Sequence, residues 1–170
     1  MLLIHEAASF VQTLRGLRCW YVSTGGAAGP TFQLALGDKV RRARPIKNRA
    51  HSEEYRLFEG EANLLVWCTW RLDGTEGPLT SSDDSEEQIV AQLSRLLGAK
   101  VRASSTTSTA WDLLVTFWNG LRLRVFCDHV PGDPSFDGNW ELWRTDRALC
   151  VGPGSRMEFE PREEPATLRG

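Results

Sequence analysis

The stretch Trp140–Val151, Trp-Glu-Leu-Trp-Arg-Thr-Asp-Arg-Ala-Leu-Cys-Val, constrains the fold most, because Tyr55–Val66 carries its pattern a second time. Aligned without a gap, Tyr55 falls on Trp140, Leu57 on Leu142, Phe58 on Trp143, Leu64 on Leu149 and Val66 on Val151. Each copy is a short apolar alternation, a polar turn and a second apolar run, the pattern of a β-hairpin. A chain that carries this pattern once in each half is expected to consist of two similar units.

Reading from the amino terminus supports two units. Ala7, Phe10, Val11 and Leu14 form an i, i+3, i+4, i+7 stripe, which predicts an amphipathic helix ended by Gly16. Leu17–Ser23 and Thr31–Leu36 read as strands around the Gly-rich segment Thr24–Pro30, and Gly37-Asp38 reads as a turn into a strand at Lys39–Arg44. The first hairpin follows, with its second strand extending towards Leu72. Asp73–Ser85 is polar and marks a boundary. Ser85 or Asp84 then caps a helix with Glu86 and Glu87 in its first turn and Ile89, Leu93, Leu96 and Leu97 on its apolar face. Strands are predicted at Ala99–Ala103, Trp111–Trp118 and Leu121–Cys127, the last two joined by the hairpin signal Asn119-Gly120. The second hairpin follows, and Arg156–Phe159 reads as a last strand.

The helix end Leu14–Arg18 matches Leu96–Lys100, and Leu34 and Leu36 match Val115 and Phe117 at nearly the same spacing along the chain. The expected fold class is therefore α+β, with two pseudo-symmetric repeats, each a helix followed by an antiparallel meander of about five strands. The first repeat spans 1–75, a linker 76–85, the second repeat 86–159 and a flexible tail 160–170. Units of about 75 residues bury a modest fraction of their surface alone, so the two are expected to pack together about a pseudo-twofold axis.

Composition narrows the function classes. A formal charge of −2 argues against a general nucleic-acid binder. No run of about 18 apolar residues is present, which argues against a helical membrane span. Glu6 stands near the start, where a secretory signal would carry basic residues, so a cytoplasmic chain is expected. Cys19, Cys68, Cys127 and Cys150 lie in or beside apolar runs without Cys-x-x-Cys spacing, and read as small buried side chains. Gly25–Gly29 lacks the Lys-Ser/Thr of a phosphate loop and precedes a strand, so no nucleotide motif is assigned. No cofactor is expected.

Several groups could meet a partner. Arg41, Arg42 and Arg44, with Lys47, Arg49 and His51, make a basic run that reads either as an anion grip or as a solvated loop. The corresponding loop of the second half is acidic, with Asp128, Asp133 and Asp137. Asp128, His129, Asp133 and Asp137 match no compact metal loop, and Gly132, Pro134 and Gly138 account for the segment as turns. Cys127 and His129, two apart, have no accompanying oxyanion site, so catalysis is not assigned to them. Ser81–Glu87 is an acidic cluster suited to capping or to docking a basic partner. Phe58 and Trp143 lie on the opposite strand face from Leu57 and Leu142, so they either pack between the halves or anchor a partner.

The segment Trp111–Gly120, Trp-Asp-Leu-Leu-Val-Thr-Phe-Trp-Asn-Gly, followed by Asn139-Trp140-Glu141-Leu142, resembles small, mostly uncharacterised bacterial α+β domains. Their pattern is a strand ending in Asp/Asn-Gly, a Leu-x-Val strand and a Trp-Glu-Leu hairpin, and some resemble toxin-immunity proteins. The resemblance covers Glu86–Phe159, while the first half has Asp38-Lys39 and Tyr55-Arg56-Leu57 at those places. It implies a non-enzymatic module that binds another protein, such as a toxin. The other readings are a small-molecule or nucleotide site between the halves, and self-association through strand edges.

Overall fold

The structure is a computed structural model that describes residues 1–24, 29–132 and 138–162. Its elements are helix α1 (Leu2–Gln12), strands β1 (Cys19–Thr24) and β2 (Phe32–Arg41), and the short helix α2 (Glu53–Leu57). Strands β3 (Phe58–Val66), β4 (Thr69–Asp73) and β5 (Pro78–Ser81) lead to helix α3 (Glu86–Leu93). Then come β6 (Val101–Thr106), β7 (Leu113–Phe117), β8 (Arg122–Phe126), β9 (Trp140–Trp143), β10 (Arg147–Gly152) and β11 (Arg156–Pro161).

The strands form two antiparallel sheets, ordered β1-β2-β3-β9-β10-β11 and β5-β4-β8-β7-β6. The chain is thus α+β with a two-sheet body. Inward residues alternate along each strand, Phe32, Leu34 and Leu36 in the first sheet and Leu113, Val115 and Phe117 in the second. They meet in one continuous hydrophobic core that draws on both sheets and both longer helices. Phe32 and Trp70 join the sheets edge to face at 5.0 Å.

Each longer helix rests on a strand of the other half of the chain. Helix α1 packs on β6, where the Ser104 hydroxyl donates to Val11 O, and its Phe10 meets Phe159 of β11 edge-on at 5.3 Å. The predicted stripe Ala7, Phe10, Val11 and Leu14 is buried, and Gly16 leaves the helix at φ +87°. Helix α3 packs on β5 and β1. Its Ser85 cap accepts from Gln88 N–H at 3.3 Å, as the sequence predicts.

Four expectations are corrected. Tyr55–Val66 is not a hairpin: Ser52 caps a helical turn by accepting from Tyr55 N–H, Tyr55 and Leu57 lie in α2, and only Phe58–Val66 is strand. The cap and Glu53-Glu54 in the first turn outweigh the strand-like alternation of Tyr55 and Leu57. Gly37-Asp38 is not a turn either. Strand β2 runs through it, and its register with β3 jumps from Leu36↔Ala62 to Lys39↔Gly60, so two residues oppose one. Gly37 takes φ +76° and gives its N–H to Arg18 O, while a Cβ on Gly60 would meet the Leu36 backbone at 2.7 Å. The expected linker 76–85 contains strand β5, bonded to β4. Glu160 and Pro161, expected in a flexible tail, are paired with β10 as the end of β11; residues 163–170 lie outside the described residues. Trp140–Val151 is a hairpin as predicted, with Leu142↔Leu149 and Trp140↔Val151 paired.

Candidate functional site

The most exposed aromatic side chain among the described residues is Trp118, at 62%. Its position follows from strand parity: Leu113, Val115 and Phe117 of β7 point into the core, so Trp118 falls on the outer side with Leu114 and Thr116. Its backbone N–H donates to Lys100 O at 3.0 Å, and the Asn119-Gly120 turn follows with Gly120 at φ +87°. Asn119 Oδ1 accepts from Leu121 N–H, closing the turn.

Four cations surround it. The register of β6 on β7 slips between Val101 and Ala103, and the bulge carries Arg102 over the indole at 5.1 Å from the ring centroid. Arg18 and Lys100 face one another in an antiparallel bridge, and the Arg18 guanidinium donates to Gly98 O at 2.6 Å. Arg15 stands exposed at the end of the turn that follows α1. Trp118 borders two open grooves, one of about 650 Å³ with Gln12, Arg15, Arg102 and Ser104. The other, about 660 Å³, is lined by Arg18, Leu97, Lys100 and Asn119. No carboxylate lines either groove among the described residues, and Leu97 beside them is 51% exposed. An open, cation-lined face with an exposed indole is suited to an anionic ligand carrying an apolar or aromatic group.

A second cluster joins β1 to the segment around α2. Tyr21 and Tyr55 stack at 3.9 Å, the Tyr21 hydroxyl meets His51 Nδ1 at 2.7 Å, and the Arg42 guanidinium lies 4.6 Å over the Tyr55 ring. Burial, then Arg42, holds the His51 imidazole below its ordinary value, and burial pushes both tyrosines up. Arg42 also donates to Tyr55 O and to Glu59, which Arg162 reaches from the other side. These bonds hold a long irregular segment against the sheet.

The residues expected to bind a partner are scattered. Phe58 is half-buried with Arg41 at 5.9 Å over its ring, and Trp143 is 8% exposed beneath Arg162. The Trp143 indole N–H is buried without a hydrogen-bond partner among the described residues. Arg42 is tied up with Glu59, while Arg44 is exposed. Asp128 accepts from the N–H and hydroxyl of Thr69. Asp133 and Asp137 lie outside the described residues. His129 Nδ1 meets Gly138 O, and the Cys127 thiol donates to Trp111 O.

Sequence reasoning did not single out Trp118, Arg15, Arg18, Lys100 or Arg102. One signal was available: a tryptophan of opposite parity to Val115 and Phe117, directly before a turn, faces solvent. The convergence of Arg18 and Lys100, which stand in opposite halves of the chain, had no local signal.

Comparison of the chain with protein-family models, with curated proteins and with solved structures gave no match.

Proposed function

We propose that this protein is a non-enzymatic binding module that engages an acidic surface of another protein through the face around Trp118. One observation carries the reading: an exposed tryptophan stands between two open grooves lined by cations and, among the described residues, no carboxylate. Trp and Arg are the side chains that dominate protein–protein hot spots, and rim cations speed encounter with an acidic partner. Exposed Leu97 and Val90 add apolar area that a phosphate backbone would not use, and the net charge of −2 disfavours nucleic acid in general. An immunity-type inhibitor, covering an acidic face of a toxin, is one form such a module takes.

The test compares the full chain with Trp118→Ala and Arg102→Glu as baits in a lysate of its native host. A stoichiometric partner held by the wild type, released by both variants and weakened by salt is the expected result. Equal recovery by all three baits sinks the assignment of this face. A second reading, a site for a small anion or nucleotide, is favoured by the convergence of Arg18 and Lys100 from opposite halves beside the indole. Quenching of Trp118 emission by nucleotides, with no protein partner recovered, would replace the first reading with this one.

We infer further that the two halves descend from one duplicated unit. Hydrogen bonds at the Arg18–Lys100 bridge support this in pairs. Gly16 N–H donates to Val101 O and Gly98 N–H to Cys19 O, and Cys19 N–H donates to Ala99 O and Val101 N–H to Leu17 O. The two bonds of each pair interconvert when Gly16 is exchanged with Gly98, Leu17 with Ala99 and Cys19 with Val101. The strand order supports it too. A three-strand meander, β1-β2-β3 or β6-β7-β8, is followed by strands that cross to the other sheet, where the first of them pairs with the last meander strand of the other half.

A further inference from the structure

Strand β4 pairs with β8 from Asp73↔Arg122 to Thr69↔Phe126, and the next step in that register sets Cys68 opposite Cys127. Their amides point away from one another: Cys68 N–H donates to Asn139 O at 3.2 Å, and Cys127 N–H to Asp112 Oδ1 at 2.8 Å. They are therefore a non-hydrogen-bonded pair, in which facing Cα atoms stand about 4.5 Å apart and side chains are closest. That separation is within the span a disulfide bridges. By parity with Trp70 and Leu72 on one strand and Leu123 and Val125 on the other, both side chains leave the same inward face.

The Cys127 thiol, which donates to Trp111 O at 3.2 Å, lies near enough to Cys68 to act on its ionisation, and all four cysteines are free. Cys68 is 2% exposed and Cys127 half-buried, so a reagent in solution reaches Cys127 first. The neighbouring Cys127 thiol, and then burial, hold Cys68 protonated well above the ordinary thiol range. Cys19 and Cys150 belong to the other sheet, and burial pushes each up to about 12.

We propose that Cys68 and Cys127 form an oxidation site that closes reversibly to a cross-strand disulfide by exchange with a low-molecular-weight disulfide. The Cys127 thiolate attacks one sulfur of the small disulfide, whose S–S bond breaks and releases one small thiolate. The Cys68 sulfur then attacks the Cys127 sulfur of the mixed disulfide as its proton passes to solvent, and the second small thiolate leaves. Two protein thiols are oxidised, one small disulfide is reduced to two thiols, and the reverse sequence reopens the bridge. The bridge would close a loop of about 60 residues, so it restricts the unfolded chain strongly and raises the thermal midpoint by about 5–10 °C.

The test equilibrates the full chain with oxidised glutathione, alkylates the remaining thiols, and maps peptides by mass spectrometry beside a thermal melt. The expected result is a Cys68–Cys127 linked peptide that dithiothreitol removes, with the higher melting midpoint in the oxidised sample. Cys127→Ser abolishes both, and Cys19→Ser and Cys150→Ser leave them intact. Alkylation of both Cys68 and Cys127 after oxidation, a glutathione adduct that stays on Cys127, or a link from Cys127 to another cysteine overturns the proposal. The wild-type peptide map decides by itself if Cys127→Ser does not fold.

Discussion

Trp70 and Trp140 occupy corresponding places in the two sheets. Trp70 pairs with Val125 and Leu72 with Leu123 across β4–β8, while Trp140 pairs with Val66 and Leu142 with Leu64 across β3–β9. Each indole N–H reaches a backbone carbonyl, Pro30 at 2.8 Å and Trp111 at 2.9 Å. Between and after these inward residues the strands diverge. Arg71 and Asp73 stand where the other strand has Glu141 and Trp143. Residues that fill a shared core are held by volume and by a buried N–H that must find an acceptor. Their outward neighbours answer only to whatever covers each sheet locally, here Arg124 on one side and Arg162 on the other.

The largest expected effect tests the inward half of that comparison. Trp70→Ala and Trp140→Ala should each destabilise the protein by about 3–5 kcal/mol in denaturant unfolding, since both side chains are fully buried. The two costs should agree within about 1 kcal/mol if the sites are alike. A difference of several kcal/mol would break the correspondence.

That correspondence also explains how far the sequence could be read. The hairpin at Trp140–Val151, both longer helices and the Asn119-Gly120 turn were legible, because periodicity, caps and turn residues are local signals. Tyr55-Arg56-Leu57, which the sequence offers as the partner of Trp140-Glu141-Leu142, is helical, and under the duplication we propose the strand register makes Trp70-Arg71-Leu72 the better counterpart. Trp70 and Trp140 stand closer together along the chain than Gly16 and Gly98 do, because the segment between β2 and β3 is much longer than the turn between β7 and β8. Spacing along the chain could not reveal that, whereas the pairing of Trp70 with Val125 does. The candidate site was illegible for a similar reason. Trp118 carried a parity signal, but Arg15, Arg18, Lys100 and Arg102 converge only once α1 lies on β6 and the Arg18–Lys100 bridge has formed.

The outward half of the comparison is sharpened by charge. Hydrogen bonding from Arg71, with Arg124 behind it, holds the Asp73 carboxyl below its ordinary range against the effect of burial. A depressed carboxylate contributes stability that is present above its unfolded value, near 3.9, and is lost as pH falls through the folded value. Asp73→Asn should cost about 1 kcal/mol at pH 7, a modest figure because both guanidinium groups are near 40% exposed and screened. The acid side of the stability–pH curve should flatten in the same variant. An unchanged acid limb would show that the two arginines do not hold Asp73 in solution.

The smallest effect concerns Glu141, where the sign reverses. Burial first, and Glu160 second, push its carboxyl up, with Arg162 opposing them. A raised carboxyl binds its proton more tightly in the folded state. Stability then falls as pH rises from the unfolded value, near 4.3, through the folded one, and stays lower above it. Glu141→Gln removes that penalty, so the variant should gain a few tenths of a kcal/mol at pH 7, where the half-exposed group is partly screened, and nothing near pH 4. Denaturant unfolding of Asp73→Asn and Glu141→Gln at both pH values makes the contrast direct. Opposite signs at pH 7 mean that matching strands carry outward faces tuned in opposite directions. A loss in both variants would mean that Glu141 is held by Arg162 more firmly than Glu160 and burial oppose it.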